Sequence, residues 1–497
     1  MPKNQKYLIN TSNCRIPDID PFNEEVIKYV VKQKYLRCTN LELLTYIDKS
    51  NGVATLSVNT SLLPLYSSFE IICCYSNISR INYLHKSDND ITLSTCKEFK
   101  DNTVISYPFI KVVCSNPFAE VYTNVHATAI PTENQKSGDR GNRFSVLLVG
   151  IDSISKLNLR RTMPKTYRYL EDNFINLKGY NKIGDNTFPN LMAILTGQNK
   201  AQLEKNCSTK VKLNNCDIIW DTFRTFGYVT AYAEDECNIG TFNYDRPVSF
   251  KNVPSFGLFW MNSYSHDDIN IPSAMDEKVL EFLGDTRFKS SLNNTIMVFF
   301  SDHGFRFGDI RYTHTGWLEE RLPFIYFHVP TSFQNSFPKK YRELLVNTQR
   351  LTTPYDIYNT LQEVLKLGNR TYKSKRSIGC PNCQSLFKEI DDLRTCKKAA
   401  VDQHWCTCTG HIYINPKDDL VILVAEFVVK EINSYVKSFT EGRSCSRYVL
   451  KKVITAGMSQ SYQNELNETV HYFLVIIETK PDAMFEATVE ANLKMGR

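Results

Sequence analysis

Two strand-length apolar runs end in groups that can hold a metal or a proton. "RFSVLLVGIDS" reaches Asp152, and "NTIMVFFSDHG" reaches Asp302 and His303. Between them, "GDNTFPNLMAILTG" sets Thr187 just ahead of an apolar run closed by Gly197. In an open parallel sheet, the carboxyl ends of the strands face the ligand crevice. Asp152, Asp302 and His303 can therefore converge on one edge, with Thr187 beside them. Two carboxylates, an imidazole and a hydroxyl make a four-ligand oxygen and nitrogen set that suits zinc. A threonine hydroxyl is a poor nucleophile at neutral pH, and a metal at this set would lower its pKa and make it an alkoxide. Amide N–H groups of the following helix could then help hold an anionic ester. Each element also has a plainer use. An Asp at a strand end is commonly a turn residue, and a Thr before an apolar helix is commonly an N-cap.

The surrounding sequence supplies elements that would position such a set. From Arg143 on, continuous β-branched runs alternate with helical patterns. "MPKTYRYLEDNF" opens with Pro near a helix start, and "PYDIYNTLQEVLKLG" is amphipathic with a Gly stop. This alternation predicts an α/β domain over 141–370 with a central, mostly parallel sheet flanked by helices. Residues 1–140 read as a Cys-rich, β-rich domain, ending in the polar linker "PTENQKSGDRGN" at 131–142. A Cys-rich connector spans 371–410. Residues 411–497 read as a small α+β domain, with one long helix and three strands.

The chain has 497 residues, 42% hydrophobic, with a net charge of +6. No Lys/Arg block is dense enough for a nucleic-acid or membrane-surface patch, so no nucleic-acid partner is expected. Fifteen cysteines point to an oxidising compartment. Asn-x-Ser/Thr sequons at Asn10, Asn59, Asn77, Asn206, Asn293, Asn369 and Asn467 agree with a glycoprotein. The opening "MPKNQKYLINTSNCRIPDID" has no apolar leader. Either the chain is cytosolic with many thiols, or a signal or membrane anchor lies upstream of it. The expectation is the second, a secreted or cell-surface protein.

"VGIDS", "NTFPNLMAILTG" and "SDHG", in this order, resemble the alkaline phosphatase and sulfatase superfamily. The Thr-Phe-Pro-Asn stretch resembles its nucleotide pyrophosphatase/phosphodiesterase branch. Over nearly its whole length the chain is similar to an animal family known only as a domain of unknown function, DUF229. The segments that carry this are "SDHGFRFGDIRYTHTGWLEERLPF", "RTCKKAAVDQHWCTC" and "CRIPDIDPF". The resemblance implies that Asp152, Thr187, Asp302 and His303 bind one metal, that Thr187 is the nucleophile, and that Asn190 orients a substrate oxygen. Sulfatases carry a modified Cys or Ser where this chain has Thr187. Two-zinc members carry an Asp and a His four residues apart, and here Asn262 stands four before His266. His266 is left as a second-metal ligand or a substrate-contacting acid, Asp267 as a substitute for Asn262, and His314 as the later His.

Arg306 and Arg311 flank the Asp-His pair and suit an ester anion, or are surface arginines. Glu319, Glu320 and Arg321 read as an internal ion pair. Cys380–Cys383 and Cys406–Cys408 read as disulfide cysteines rather than a zinc ribbon. The expected function is a metal-dependent hydrolase or transferase of phosphate esters with a threonine nucleophile and a zinc-type site. The alternatives are a superfamily fold kept as a binding ectodomain, and a sulfate-ester hydrolase.

Overall fold

The computed structural model describes residues 6–37, 39–49, 53–80, 91–128, 143–207, 216–236, 254–408, 410–439, 446–459, 461–463 and 468–492. The expected linker at 131–142, three cysteines (Cys38, Cys237 and Cys445) and the sequon Asn467 lie outside the described residues. The chain divides into two compact units, Met1–Lys34 with Arg143–Thr222 and Phe259–Arg497, and Tyr35–Asn142 with Phe223–Leu258.

The first unit is of the α/β class, a central sheet flanked by helices. Strands Ser145–Ile151 and Thr295–Phe300 pair in parallel, from Ser145 opposite Thr295 to Gly150 opposite Phe300. Both are apolar on both faces, as a sheet covered on two sides requires. Beyond them the sheet turns antiparallel, through Ile325–His328 and then Ile175–Asn176. Helices Pro164–Asn173 and Pro272–Gly284 each begin with Pro. They contribute Leu170, Val279 and Leu283 to a core shared with Val149, Ile151, Met297 and Phe299. Gly150 is required where it stands, because a Cβ there would overlap the buried Trp260 ring.

Further along the same unit, helix Asp419–Phe439 lies on a sheet of His411–Ile414, Val449–Ser459, Thr469–Lys480 and Ala483–Ala491. Val421, Val424, Ala425 and Val428 form one stripe at helical spacing and pack on Val453, Phe473, Val475 and Ile477. This core explains the apolar sequence of the helix. Among the described residues, no helix is long and apolar enough to cross a membrane. The N-terminal hairpin of Tyr7–Asn10 and Arg15–Pro17 packs Ile9 and Ile16 beside Trp317, Leu318 and Leu351.

Among the described residues, four disulfides pin this unit: Cys14–Cys408, Cys207–Cys216, Cys380–Cys383 and Cys396–Cys406. The first closes a separation of 394 residues and ties the N-terminal hairpin to the Cys-rich connector. The CxxC and CxC sulfurs are thus bonded to one another or to Cys14 and Cys396, which leaves no thiolates for a zinc ribbon.

The second unit is built on strands Ile72–Arg80, Phe109–Ser115 and Glu120–Ala127. Disulfide Cys73–Cys114 joins directly opposed residues of the first two, and Cys74–Cys96 lies next to it. Leu44, Leu56, Tyr75, Ile110 and Val112 make its core.

Candidate metal centre

The register of the two central strands does most of the positioning. Gly150 lies opposite Phe300 in a parallel pair, so Asp152 and Asp302 leave adjacent strands at the same level. Both are fully buried, and His303 is 1% exposed. Ligand atoms of Asp152, Asp302 and His303 lie within 4.8 Å of one another.

The turn after Asp152 holds the two carboxylates side by side. Ser153 takes φ +59°, uncommon for a residue with a Cβ. In that conformation its N–H donates to Asp302 Oδ1 at 3.2 Å, and its hydroxyl donates to Asp152 Oδ1 at 3.1 Å. The Ser301 hydroxyl accepts from Ile154 N at 2.9 Å and clips the same turn to the second strand.

Thr187 is the first residue of helix Thr187–Thr196, which Gly197 ends at φ +68°. The N-cap position belongs to Asn186, so capping is not the task of the Thr187 hydroxyl. That hydroxyl turns to the strand edge instead. It lies 3.2 Å from Asp152 Oδ1 and 3.4 Å from His303 Nε2.

The imidazole tautomer follows from its neighbour. His303 Nδ1 lies 2.8 Å from the Gly304 carbonyl oxygen, which can only accept. Nδ1 therefore carries the proton, and Nε2 presents a lone pair into the cluster, 3.1 Å from Asp302 Oδ2. Burial lowers the His303 pKa, which keeps the ring neutral. Burial, and then the Asp302 charge, push the Asp152 carboxyl well above its usual range. Asp152 Oδ2 and Asp302 Oδ2 are buried without a hydrogen-bond donor. Two carboxylate oxygens, an imidazole lone pair and a hydroxyl oxygen thus face one another. Such a set is electrostatically costly by itself and is what a divalent metal compensates. The residues fit the group they were expected to hold.

Other expected residues stand differently. Asn190 is fully buried, and its amide is engaged with the loop before the helix. Oδ1 accepts from Ile183 N at 2.8 Å and Gly184 N at 3.3 Å, while Nδ2 donates to the Gly184 and Asn186 carbonyls. These four hydrogen bonds shape residues 183–186. Arg311 pairs with Glu486 at 2.8 Å and Glu320 at 3.8 Å. Arg306 donates to Asp185 Oδ2 at 3.0 Å, two residues before Thr187.

His266 Nδ1 lies 2.6 Å from Asp267 Oδ1, and its ring lies 5.9 Å from Phe307. Asn262 Oδ1 accepts from Trp260 Nε1 at 2.9 Å and is buried. His314 packs against Trp317, and burial lowers its pKa. Among the described residues, His266, Asp267 and His314 do not gather into a second metal-holding group.

Sequence reasoning missed Lys182. It is fully buried, donates to the Asp185 carbonyl at 3.1 Å and pairs with Glu320. Glu320 also meets Arg321 at 2.6 Å, and Arg321 meets Glu486 at 2.5 Å. Burial lowers Lys182 to about 8. Against burial, Lys182 and the two arginines hold Glu320 down at about 2. Glu319 pairs with Arg161 at 2.7 Å and accepts from Ser155 Oγ. The Glu319–Arg321 stretch is therefore structural, as its sequence suggests. Lys182 has a weak sequence signal, a lone Lys between Asn181 and Ile183.

The sequence model of a family described as "Protein of unknown function (DUF229)" matches residues 31–254 and 248–454. No curated protein matches the chain in sequence. Among solved structures, it is similar to murine ectonucleotide pyrophosphatase/phosphodiesterase 5, at 16% identity and a TM-score of 0.23, over 32% of this chain and 57% of that one. The match thus spans little more than half of that phosphodiesterase. It is also similar to an alkaline phosphatase superfamily protein from Vibrio parahaemolyticus, at 11% identity and a TM-score of 0.38, over 71% of this chain and 83% of that one. A third is lipoteichoic acid synthase from Listeria monocytogenes, at 11% identity and a TM-score of 0.34, over 71% and 89%.

Proposed function

We propose, for a chain that belongs to the DUF229 family, a metal-dependent hydrolase or transferase of phosphate esters with Thr187 as nucleophile. The observation that carries this is the Thr187 hydroxyl, set 3.2 Å from Asp152 and 3.4 Å from the unprotonated nitrogen of His303. Asp152, Asp302, His303 and Thr187 would hold the metal, and the imidazole favours zinc over a hard cation. Bound there, a divalent cation would lower the Thr187 pKa and offset ester charge.

The chain's own residues supply the rest. The Thr187 hydroxyl passes its proton to Asp152 Oδ1, towards which it already donates, and Oγ1 attacks phosphorus in line. A bond forms from Oγ1 to phosphorus as the bond to the leaving oxygen breaks, which leaves a phosphothreonine. His266, paired with Asp267, is the candidate donor of a proton to the leaving oxygen. Water or an acceptor hydroxyl then displaces Thr187. The backbone N–H groups of Thr187 and Phe188, at the start of helix Thr187–Thr196, would face the anion. The six disulfides among the described residues support an oxidising compartment, secreted or cell-surface.

The test is turnover of chromogenic phosphate monoester, phosphate diester and sulfate ester by metal-loaded protein, with Thr187→Ala as control. Phosphate-ester turnover lost in the variant supports the reading. Sulfate-ester turnover alone moves it to sulfate esters. Equal rates in Thr187→Ala and wild type sink the mechanism. A folded, metal-loaded chain that turns over none of the three favours the binding-ectodomain reading.

A further inference from the structure

The loop that leads into Thr187 is held from inside the protein. Residues 183–186 form neither helix nor strand, and Asp185 and Asn186 are exposed. Water commonly satisfies such backbone. Here three successive carbonyls turn to buried side-chain donors instead. Asn190 Nδ2 donates to the Gly184 carbonyl at 3.1 Å and to the Asn186 carbonyl at 2.8 Å. The carbonyl between them, that of Asp185, accepts from Lys182 Nζ at 3.1 Å. Asn190 belongs to the helix that Thr187 begins, so its bonds fold the loop onto that helix. Lys182 ties the loop across to another element.

That tie runs on to the strand edge. Lys182 pairs with Glu320 of helix His314–Arg321, and both side chains are fully buried. The Glu320 carbonyl accepts from Gly304 N at 3.0 Å, next to His303. Lys182 N donates to the Arg321 carbonyl at 3.1 Å, which fixes the start of the lysine side chain. The ammonium lies 3.9 Å from the centre of the Trp405 ring. One unbroken chain of contacts therefore joins the loop before Thr187 to the backbone beside His303.

Among the described residues, no other donor meets the Asp185 carbonyl. Without the ammonium, water would replace the bond, because Asp185 is exposed. The peptide would then be free to turn outward, two residues before Thr187. The Arg306–Asp185 pair on the outer side is solvent-screened and would not hold it. A displacement of about 1 Å at a reacting group can cost about 10²-fold in rate.

We propose that Lys182 is a positioning residue for the nucleophile: held by Glu320, it fixes the Asp185 carbonyl and so sets Thr187 Oγ1 against Asp152 and His303. The proposal rests on the reading of Thr187 as nucleophile given above.

The test makes two measurements on the full chain carrying Lys182→Met. One is steady-state kinetics of the metal-loaded protein with p-nitrophenyl phosphate and bis(p-nitrophenyl) phosphate. The other is amide hydrogen exchange, read peptide by peptide. Expected is a kcat lower by about 10²-fold with KM within about twofold of wild type. Exchange should quicken about tenfold or more at Ile183 and Gly184, whose N–H groups are bonded to Asn190 Oδ1. Strands Ser145–Ile151 and Thr295–Phe300 should exchange as in wild type. If Lys182→Met does not fold, Lys182→Met/Glu320→Gln takes its place, because it removes both buried charges together. In a chain that turns over neither ester, exchange alone decides. A wild-type kcat in the folded variant overturns the proposal, and so does unchanged exchange at Ile183 and Gly184. Exchange that quickens equally in the two strands also overturns it, since Lys182 would then hold the fold and not the loop. Turnover lost in Thr187→Ala but kept in Lys182→Met fails this proposal alone. Turnover that survives Thr187→Ala, with exchange quickened at the loop in Lys182→Met, fails the nucleophile reading alone.

Discussion

Two buried charged clusters of the first unit follow opposite rules. Around Glu320, every charge meets its opposite. Glu320 faces Lys182 and Arg321, and Glu486 faces Arg321 and Arg311. Around Asp302, two carboxylates face a neutral imidazole and a hydroxyl, and two of their oxygens have no donor. The backbone joins the clusters, since Gly304 N donates to the Glu320 carbonyl at 3.0 Å. A Cβ on Gly304 would overlap the Glu319 carbonyl oxygen, so only Gly lets them approach. The difference fits the function proposed. A compensated buried cluster is complete as folded, whereas a bound cation would complete an uncompensated one.

The largest effects should fall on the uncompensated cluster and appear as lost chemistry, not lost fold. Thr187→Ala is expected to lower turnover by about 10³-fold or more, with an unfolding temperature close to wild type. Asp302→Asn sharpens the contrast. It removes one of two like charges, so the metal-free protein should unfold at a higher temperature. The same variant should lose the stabilisation that metal gives wild type, about 3 kcal/mol at a metal concentration a hundredfold above Kd. Thermal scans with and without metal read both signs at once. A lower metal-free melting temperature in Asp302→Asn would mean that the carboxylate is structurally compensated after all.

Glu320→Gln should do the reverse. It leaves Lys182 and Arg321 short of a buried partner, and the expected loss is about 3 to 5 kcal/mol of stability. Metal affinity should hold wherever the variant remains folded. Stability should also fall in acid. Burial, then Arg321, lowers His404 to about 4, and burial with the same arginine lowers His411 to about 3. As pH falls below the ordinary 6.5, the unfolded chain takes up protons that these rings refuse, so stability declines. Glu320, held at about 2, adds a further loss between the ordinary 4.5 and 2. Denaturant melts across this range check the sign. A flat profile from pH 7 to 4 would show that the rings are solvated.

Much of this contrast was legible in the sequence, for a physical reason. A strand buried on both faces is a continuous apolar run, and its end is marked by the first residue that cannot be buried without a partner. "VLLVGID" and "MVFFSDH" carry that mark, and parallel register then aligns Asp152 with Asp302. Helices with Pro at the start and Gly at the end, such as Pro354–Gly368, were equally plain. The compensated cluster was less so. Lys182, Glu320 and Glu486 lie far apart in the chain, and nothing local links them. The same holds for the Cys14–Cys408 bridge, because spacing does not encode disulfide pairing. The loop contacts of Asn190 were equally hidden, since an Asn side chain serves a loop backbone as readily as a ligand and the sequence does not say which.

The smallest expected effect belongs to Arg306, which fits neither cluster. Its partner Asp185 is 60% exposed, so the pair is screened by solvent and should contribute under about 1 kcal/mol to stability. Arg306→Ala should therefore melt near wild type, with a difference that shrinks further in high salt. Its kinetics carry more information. If the guanidinium releases Asp185 to meet an ester anion, Arg306→Ala raises KM with kcat nearly unchanged, and Arg306→Lys restores only part, because an ammonium lacks the planar fork. If the pair only fastens the loop before Thr187, both constants stay put in Arg306→Lys, which still reaches Asp185, and Arg306→Ala lowers kcat through a misplaced hydroxyl. The KM-against-kcat split thus assigns Arg306 either to the substrate or to the compensated scaffold.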